Sequence, residues 1–231
     1  MQIITTNTPA QEAGDAISTL IQGHNGDTLC LLSGGSALEV VEHIADLEKS
    51  ECRTIFMMGD ERGSRGVELN NFLQLQAKYP VHWITKNCLR TVPEENENLE
   101  KFSTRISDQL DQALAELSNS QIIHLMGMGS DGHTAGIFPL PEDQFAEVYN
   151  QDVSIVPVHL ESLTIDSRAS VTPTWINTYV GHVIGYAAGE SKKTTLESLT
   201  NETKPIHERP AELWKLKSGT RVYTDQVIKT T

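Results

Sequence analysis

Cysteine is scarce in this chain of 231 residues: there are three, Cys30, Cys52 and Cys88, and none stands in CxxC spacing. This argues against a disulfide scaffold and a structural zinc site, and a reducing, cytoplasmic setting is expected. Basic residues are also few, 18 Lys and Arg against 31 Asp and Glu, a formal net charge of −13. A surface of that sign repels phosphodiester backbones and anionic lipid, so neither nucleic acid nor membrane is an expected partner. No stretch approaches 18 consecutive apolar residues, and the opening MQIITTNTPAQEAG lacks both the basic and the apolar region of a secretory signal. The eight histidines form no HExxH and no i, i+4 pair, so no metal site and no cofactor is expected. There is no Gly-x-Ser-x-Gly elbow, which disfavours a covalent serine mechanism.

What is present is ordinary globular material, 38% hydrophobic and 21% charged, enough for one self-sufficient domain spanning 1–231. Short apolar runs at 27–32 (DTLCLL), 54–58 (TIFMM) and 121–126 (QIIHLM) are too short for helices and read as buried strands. Further strands are expected at 153–158 and 180–187, and a short edge strand at 221–224. Between them lie helical patterns: one opening at Thr8-Pro9, one from Ser36 through Leu38, Val41, Ile44 and Leu47, one at 71–78, a long amphipathic stretch within 94–117, and one at 190–199. Strands alternating with helices predict an α/β fold with a mostly parallel sheet and helices on both faces.

Three of the strand runs end in unusual punctuation: SGGS at 33–36, GDER at 59–62 and GMGSDGHT at 127–134. In open parallel sheets ligands bind outside the carboxyl ends of strands, so these three ends are expected to share one crevice. Ser33, Gly34, Gly35 and Ser36 lie between a strand and a helix, either as a ligand-free tight turn or as a phosphate cradle of helix N–H groups. They lack the Gly-Lys-Ser/Thr of a nucleoside triphosphate loop. His133 is the side-chain type that accepts and returns a proton near neutrality, and Asp131 two residues earlier is placed to orient it; a helix-capping loop histidine is the plainer alternative. Asp60, Glu61 and Arg62 are either a solvated charge cluster or a carboxylate with a substrate-gripping arginine. His124, on an apolar strand, reads as a core histidine.

GMGSDGHTAGIFP at 127–139 resembles the signature of the 6-phosphogluconolactonases, and further blocks match in family order. These are SGGS at 33–36, GDER at 59–62, Asn70-Asn71-Phe72, Arg168-Ala169-Ser170-Val171-Thr172, Gly189-Glu190-Ser191-Lys192 and Pro210-Ala211. The segment 63–69 is shorter than the family's, and Gly136 stands where the family has serine. The resemblance implies a Rossmann-like domain, monomeric or homodimeric, that hydrolyses a sugar-phosphate lactone without a metal or cofactor. His133, Asp131 and Asp60 would be catalytic; Ser33, Gly34, Gly35, Ser36, Arg62, Arg168 and Lys192 would hold the substrate. The related glucosamine-6-phosphate deaminases carry a glutamate just before the proline of the signature, where this chain has Phe138. An isomerase or deaminase, or a catalytically idle sugar-phosphate sensor, is the alternative expectation.

Overall fold

The computed structural model describes residues 1–46, 52–79, 82–159 and 167–229. Its strands are β1 (Gln2–Thr5), β2 (Thr28–Leu32), β3 (Thr54–Met58), β4 (Asp60–Arg62), β5 (Gln121–Gly127), β6 (Ile155–His159), β7 (Ser167–Val171), β8 (His182–Tyr186) and β9 (Arg221–Thr224). The helices are α1 (Pro9–Gly23), α2 (Asn71–Lys78), α3 (His82–Lys86), α4 (Leu99–Glu116), α5 (Glu142–Tyr149), α6 (Pro173–Tyr179), α7 (Glu190–Asn201) and α8 (Leu213–Leu216), with 3-10 turns at Gly35–His43 and Pro210–Glu212.

Six strands form a parallel sheet in the order β1-β9-β8-β5-β2-β3. The apolar runs lack a polar alternation because both faces are covered. From β2, Leu29 and Leu31 enter one core with Phe102, Ile106 and Leu110 of α4, while Cys30 and Leu32 enter the other with Ala13 and Ile17 of α1. Local signals fix the helix starts. Asn70, Asn98 and Thr172 accept the N–H groups of Leu73, Lys101 and Trp175 on their side-chain oxygens, and Pro9 and Pro173 open α1 and α6. Among the described residues, no helix is long and apolar enough to cross a membrane.

The α/β class, the parallel sheet and its two covered faces are as the sequence predicts; three details differ. The element after Gly34 is a 3-10 helix, which aligns the buried pairs Ala37/Val40 and Leu38/Val41 at a spacing of three; Leu47, expected in it, lies outside the described residues. β9 is no edge strand, because the first four-residue strand, β1, pairs outside it. A second, antiparallel sheet, β4-β7-β6, takes in the expected strand near 153–158.

Gly59 is the joint between the two sheets. Its N–H donates to Leu32 O (2.8 Å) and its carbonyl accepts from Val171 N–H (3.0 Å). A Cβ at this position would stand 2.4 Å from His124 Nε2, so glycine here makes room for the buried imidazole. His124 itself is fully buried, and neither ring nitrogen has a hydrogen-bond partner among the described residues. Burial pushes its pKa down to about 3 from 6.5. The unfolded chain therefore takes up a proton near pH 6.5 that the folded chain refuses until about pH 3, and stability falls as pH drops through that window. We expect His124→Leu to lose less melting temperature than the parent between pH 7 and pH 4.5. Parallel losses in thermal melts would show that His124 does not carry this sensitivity.

Candidate active site

β4 and β7 bring distant charges together. Their antiparallel register sets Arg62 opposite Arg168 and Asp60 opposite Ser170, so these four side chains share one face. Two arginines directly opposed repel each other unless negative charge lies between them. Asp60 supplies part of it: its Oδ2 is 3.2 Å from Arg168 Nη1, with Asp60 buried and Arg168 partly so. Arg62 is lowered in pKa by burial, with Asp60 opposing that shift and Arg168 adding to it. Its Nη1 donates to Leu69 O (2.9 Å), and the Nε atoms of both arginines are buried without a partner among the described residues. This is a site short of an anion.

Glu61 points the other way and is fully buried. Its carboxylate accepts the backbone N–H groups of Arg62, Asn71 and Phe72 (2.6–2.9 Å) and the Thr91 hydroxyl (3.0 Å), which ties β4 to the start of α2. Burial pushes its pKa up to about 8, and the three N–H donors pull against that. Asn71 Nδ2 donates to Asp60 O (3.0 Å), anchoring the preceding residue of the same strand.

At the end of β5, His133 Nδ1 stands 2.6 Å from Asp131 Oδ1, and the same carboxylate oxygen accepts His133 N–H at 3.1 Å. Burial works to raise the Asp131 pKa, but the bonds from His133 outweigh it and the net shift is downward. An ionised carboxylate only accepts, so Nδ1 carries the proton and Nε2 keeps its lone pair. Gly129 is indispensable to this pair: a Cβ there would lie 2.1 Å from His133 Nδ1 and 2.4 Å from Asp131 Oδ1. Ser33 Oγ accepts the Gly127 N–H (3.2 Å), and Thr195 Oγ1 donates to Ser130 O, so β2 and α7 both hold this loop.

The three strand ends meet in a cavity of about 210 Å³. Every substrate or catalytic residue expected from the sequence lines it except Asp131: Ser33, Gly34, Gly35, Ser36, Asp60, Arg62, His133, Arg168 and Lys192. Asp131 reaches the site through its bond to His133 Nδ1. Asp60, expected as a catalytic carboxylate, spends its charge on Arg168 rather than on His133. Gly127, Met128 and Gly129, from the expected strand end, also line the cavity, as does Ala135, which was not singled out from the sequence; nor were the contacts of the Phe138 ring, which packs against both His133 and Arg168. A larger groove of about 920 Å³, between α4, the 151–157 segment and α6, is lined by Asp108, Asp111 and Asp152 and, among the described residues, by no basic residue or histidine. It suits no anion. Among the described residues, no group of three or more His, Cys, Asp or Glu is arranged to hold a metal ion.

Fold and crevice together define a class: a parallel α/β protein whose strand ends surround an Asp–His pair with three cationic side chains. The chain belongs to the family of glucosamine-6-phosphate isomerases/6-phosphogluconolactonase, whose model matches residues 6–223. A 6-phosphogluconolactonase of Neisseria meningitidis serogroup A is 26% identical over 196 residues, covering 81% of this chain and 82% of that one. Among solved structures, a 6-phosphogluconolactonase from Plasmodium vivax superposes with a TM-score of 0.75 at 16% identity, over 96% of this chain and 89% of its own. A monomeric glucosamine-6-phosphate deaminase reaches 0.72 at 17% identity, over 98% of each chain. The fold is therefore common to both activities, and the choice between them rests on the site.

Proposed function

We propose that this chain hydrolyses 6-phospho-D-glucono-1,5-lactone to 6-phosphogluconate, the lactone-opening step of the pentose phosphate pathway. The observation that carries the reading is the Asp131–His133 pair at a crevice with Arg62, Arg168 and Lys192, combined with Phe138. An aldose–ketose isomerase or deaminase of this fold needs an additional carboxylic acid for ring opening and proton transfer, and a phenyl ring cannot supply it. The 26% identity to curated lactonases over four-fifths of the chain supports the same choice.

His133 Nε2 takes a proton from a water as its oxygen attacks the lactone carbonyl carbon, and the carbonyl electron pair moves onto oxygen. When the intermediate collapses, the bond to the ring oxygen breaks and His133 returns the proton to that oxygen. Water is consumed, and the new acid ionises in solution. Asp131 holds the imidazole in the required tautomer and stabilises the imidazolium while it exists. Arg168, Lys192, Arg62 and the 33–36 turn hold the phosphate, with Asp60 fixing the Arg168 guanidinium. All these groups come from one chain, so a monomer suffices and a homodimer is compatible. Cys30, a buried thiol outside any disulfide, accords with a cytoplasmic setting.

Lys192, in the first turn of α7, lines the cavity and forms no ion pair among the described residues. Lys192→Ala is expected to raise KM about tenfold with a smaller change in kcat, since a charge-assisted hydrogen bond to the phosphate contributes about 1.5–3 kcal/mol. An unchanged KM in steady-state kinetics would remove Lys192 from the phosphate site. The function itself is tested by adding the protein to freshly made lactone in weak buffer and following acid release. Release well above the spontaneous rate supports the reading; a rate equal to that of the uncatalysed solution refutes it.

A further inference from the structure

The Phe138 side chain is almost wholly buried, yet one face of the molecule's chemistry converges on it. The His133 ring lies 4.6 Å away between centroids at an interplanar angle of 36°, and the Arg168 guanidinium carbon sits 5.0 Å from the centre of the phenyl ring. The general base and a phosphate-holding cation thus rest on one aromatic ring, although they come from separate elements, the loop after β5 and strand β7. Asp60 holds Arg168 from a second direction. The guanidinium is therefore fixed by a carboxylate and a ring, with Nε left without a partner among the described residues.

The backbone around Phe138 is fastened just as firmly. Its N–H donates to Tyr149 Oη (3.0 Å), and Tyr149 Oη donates to Gly136 O (3.0 Å). Gly136 N–H donates to Ser170 Oγ (3.0 Å), on the strand that carries Arg168. A Cβ at position 136 would lie 2.7 Å from the Ser170 Cβ, so glycine lets this turn press against β7. The fully buried Tyr149 of α5 is not itself among the residues lining the cavity and serves as the clamp of the ring-bearing turn.

We infer that Phe138 is a positioning residue that sets His133 and Arg168 in register with one another, acting on Arg168 through the electron-rich face of its ring. The inference rests on the lactonase reading for the roles of those two residues. A cation over an aromatic face is attracted by the ring quadrupole, an attraction that weakens as fluorine withdraws electron density while the ring keeps nearly the same shape. A residue that merely filled space would be indifferent to that change.

The test places phenylalanine, a difluoro and a pentafluoro analogue at position 138 by nonsense suppression, with Phe138→Leu as the ringless variant and Tyr149→Phe as a variant outside the site. Kd for 6-phosphogluconate is measured by calorimetry alongside kcat and KM on the lactone. Kd and KM should rise stepwise with fluorination, reaching about threefold to tenfold at pentafluorophenylalanine. Phe138→Leu should show the same rise and in addition a kcat loss of about tenfold, as His133 loses the surface it packs on. Tyr149→Phe, which loosens the turn but leaves the electrons of the ring at 138 unchanged, should lower kcat with Kd near the parental value. A flat Kd across the fluorinated series overturns the inference, even if Phe138→Leu is impaired, because the ring would then act by volume alone. If the parent protein fails to hydrolyse the lactone, the functional reading falls, while a fluorination-dependent Kd would still establish the hold of Phe138 on Arg168.

Discussion

Replacing His133 by alanine should lower kcat on the lactone by about 10²-fold or more, the usual contribution of a positioned general base. KM should move little, because the groups proposed to hold the phosphate lie in the 33–36 turn and on β4, β7 and α7 rather than on the histidine. The geometry makes the effect specific: Asp131 occupies Nδ1, so Nε2 is the nitrogen left for the water. Asp131→Asn should lose part of the same rate, since an amide can turn its NH₂ toward Nδ1 and select the wrong tautomer. Steady-state kinetics on variants with parental melting temperatures decide this. Near-parental kcat in folded His133→Ala would take the histidine out of the mechanism.

The largest expected effect on stability is at Glu61. Alanine there leaves three backbone N–H groups and the Thr91 hydroxyl without their acceptor, in a place closed to water. Each buried donor so stranded costs about 1–3 kcal/mol, and the void adds to the sum. A total of at least about 4 kcal/mol corresponds to a fall in melting temperature of about 10 °C or more for a domain of this length. The loss should also reach the site, since Asp60 and Arg62 flank Glu61 on the strand it secures. A melting temperature within 2 °C of the parent would mean that these donors find other partners.

The comparison of these two residues shows what a sequence discloses. His133 was legible because its surroundings are local: two glycines end a strand, and an aspartate lies two residues away. The convergence of 33–36, 59–62 and 127–134 was legible too, since apolar runs stopped by glycine mark the carboxyl ends of parallel strands. Strands β4 and β7 were hidden for a physical reason. One face of each carries Asp60, Arg62, Arg168 and Ser170 toward the crevice, so neither DER nor SRASV shows the apolar pattern of a buried strand. The Asp60–Arg168 pair spans 108 positions and exists only through that register. Phe138 read as a marker against a deaminase; its contacts with His133 and Arg168 depend on how three separate segments pack. The place of β1 at the sheet edge was likewise invisible, since four residues, QIIT, carry no periodicity to read.

The central claim is that this crevice opens lactones and does not isomerise or deaminate amino sugars. The most direct measurement sets the two substrates side by side on one preparation: acid release from fresh 6-phosphogluconolactone, and ammonia and fructose 6-phosphate formation from glucosamine 6-phosphate. The expected result is enzyme-dependent turnover of the lactone that falls about 10²-fold or more in His133→Ala, with no ammonia above the blank. Ammonia release with an unaccelerated lactone would contradict it.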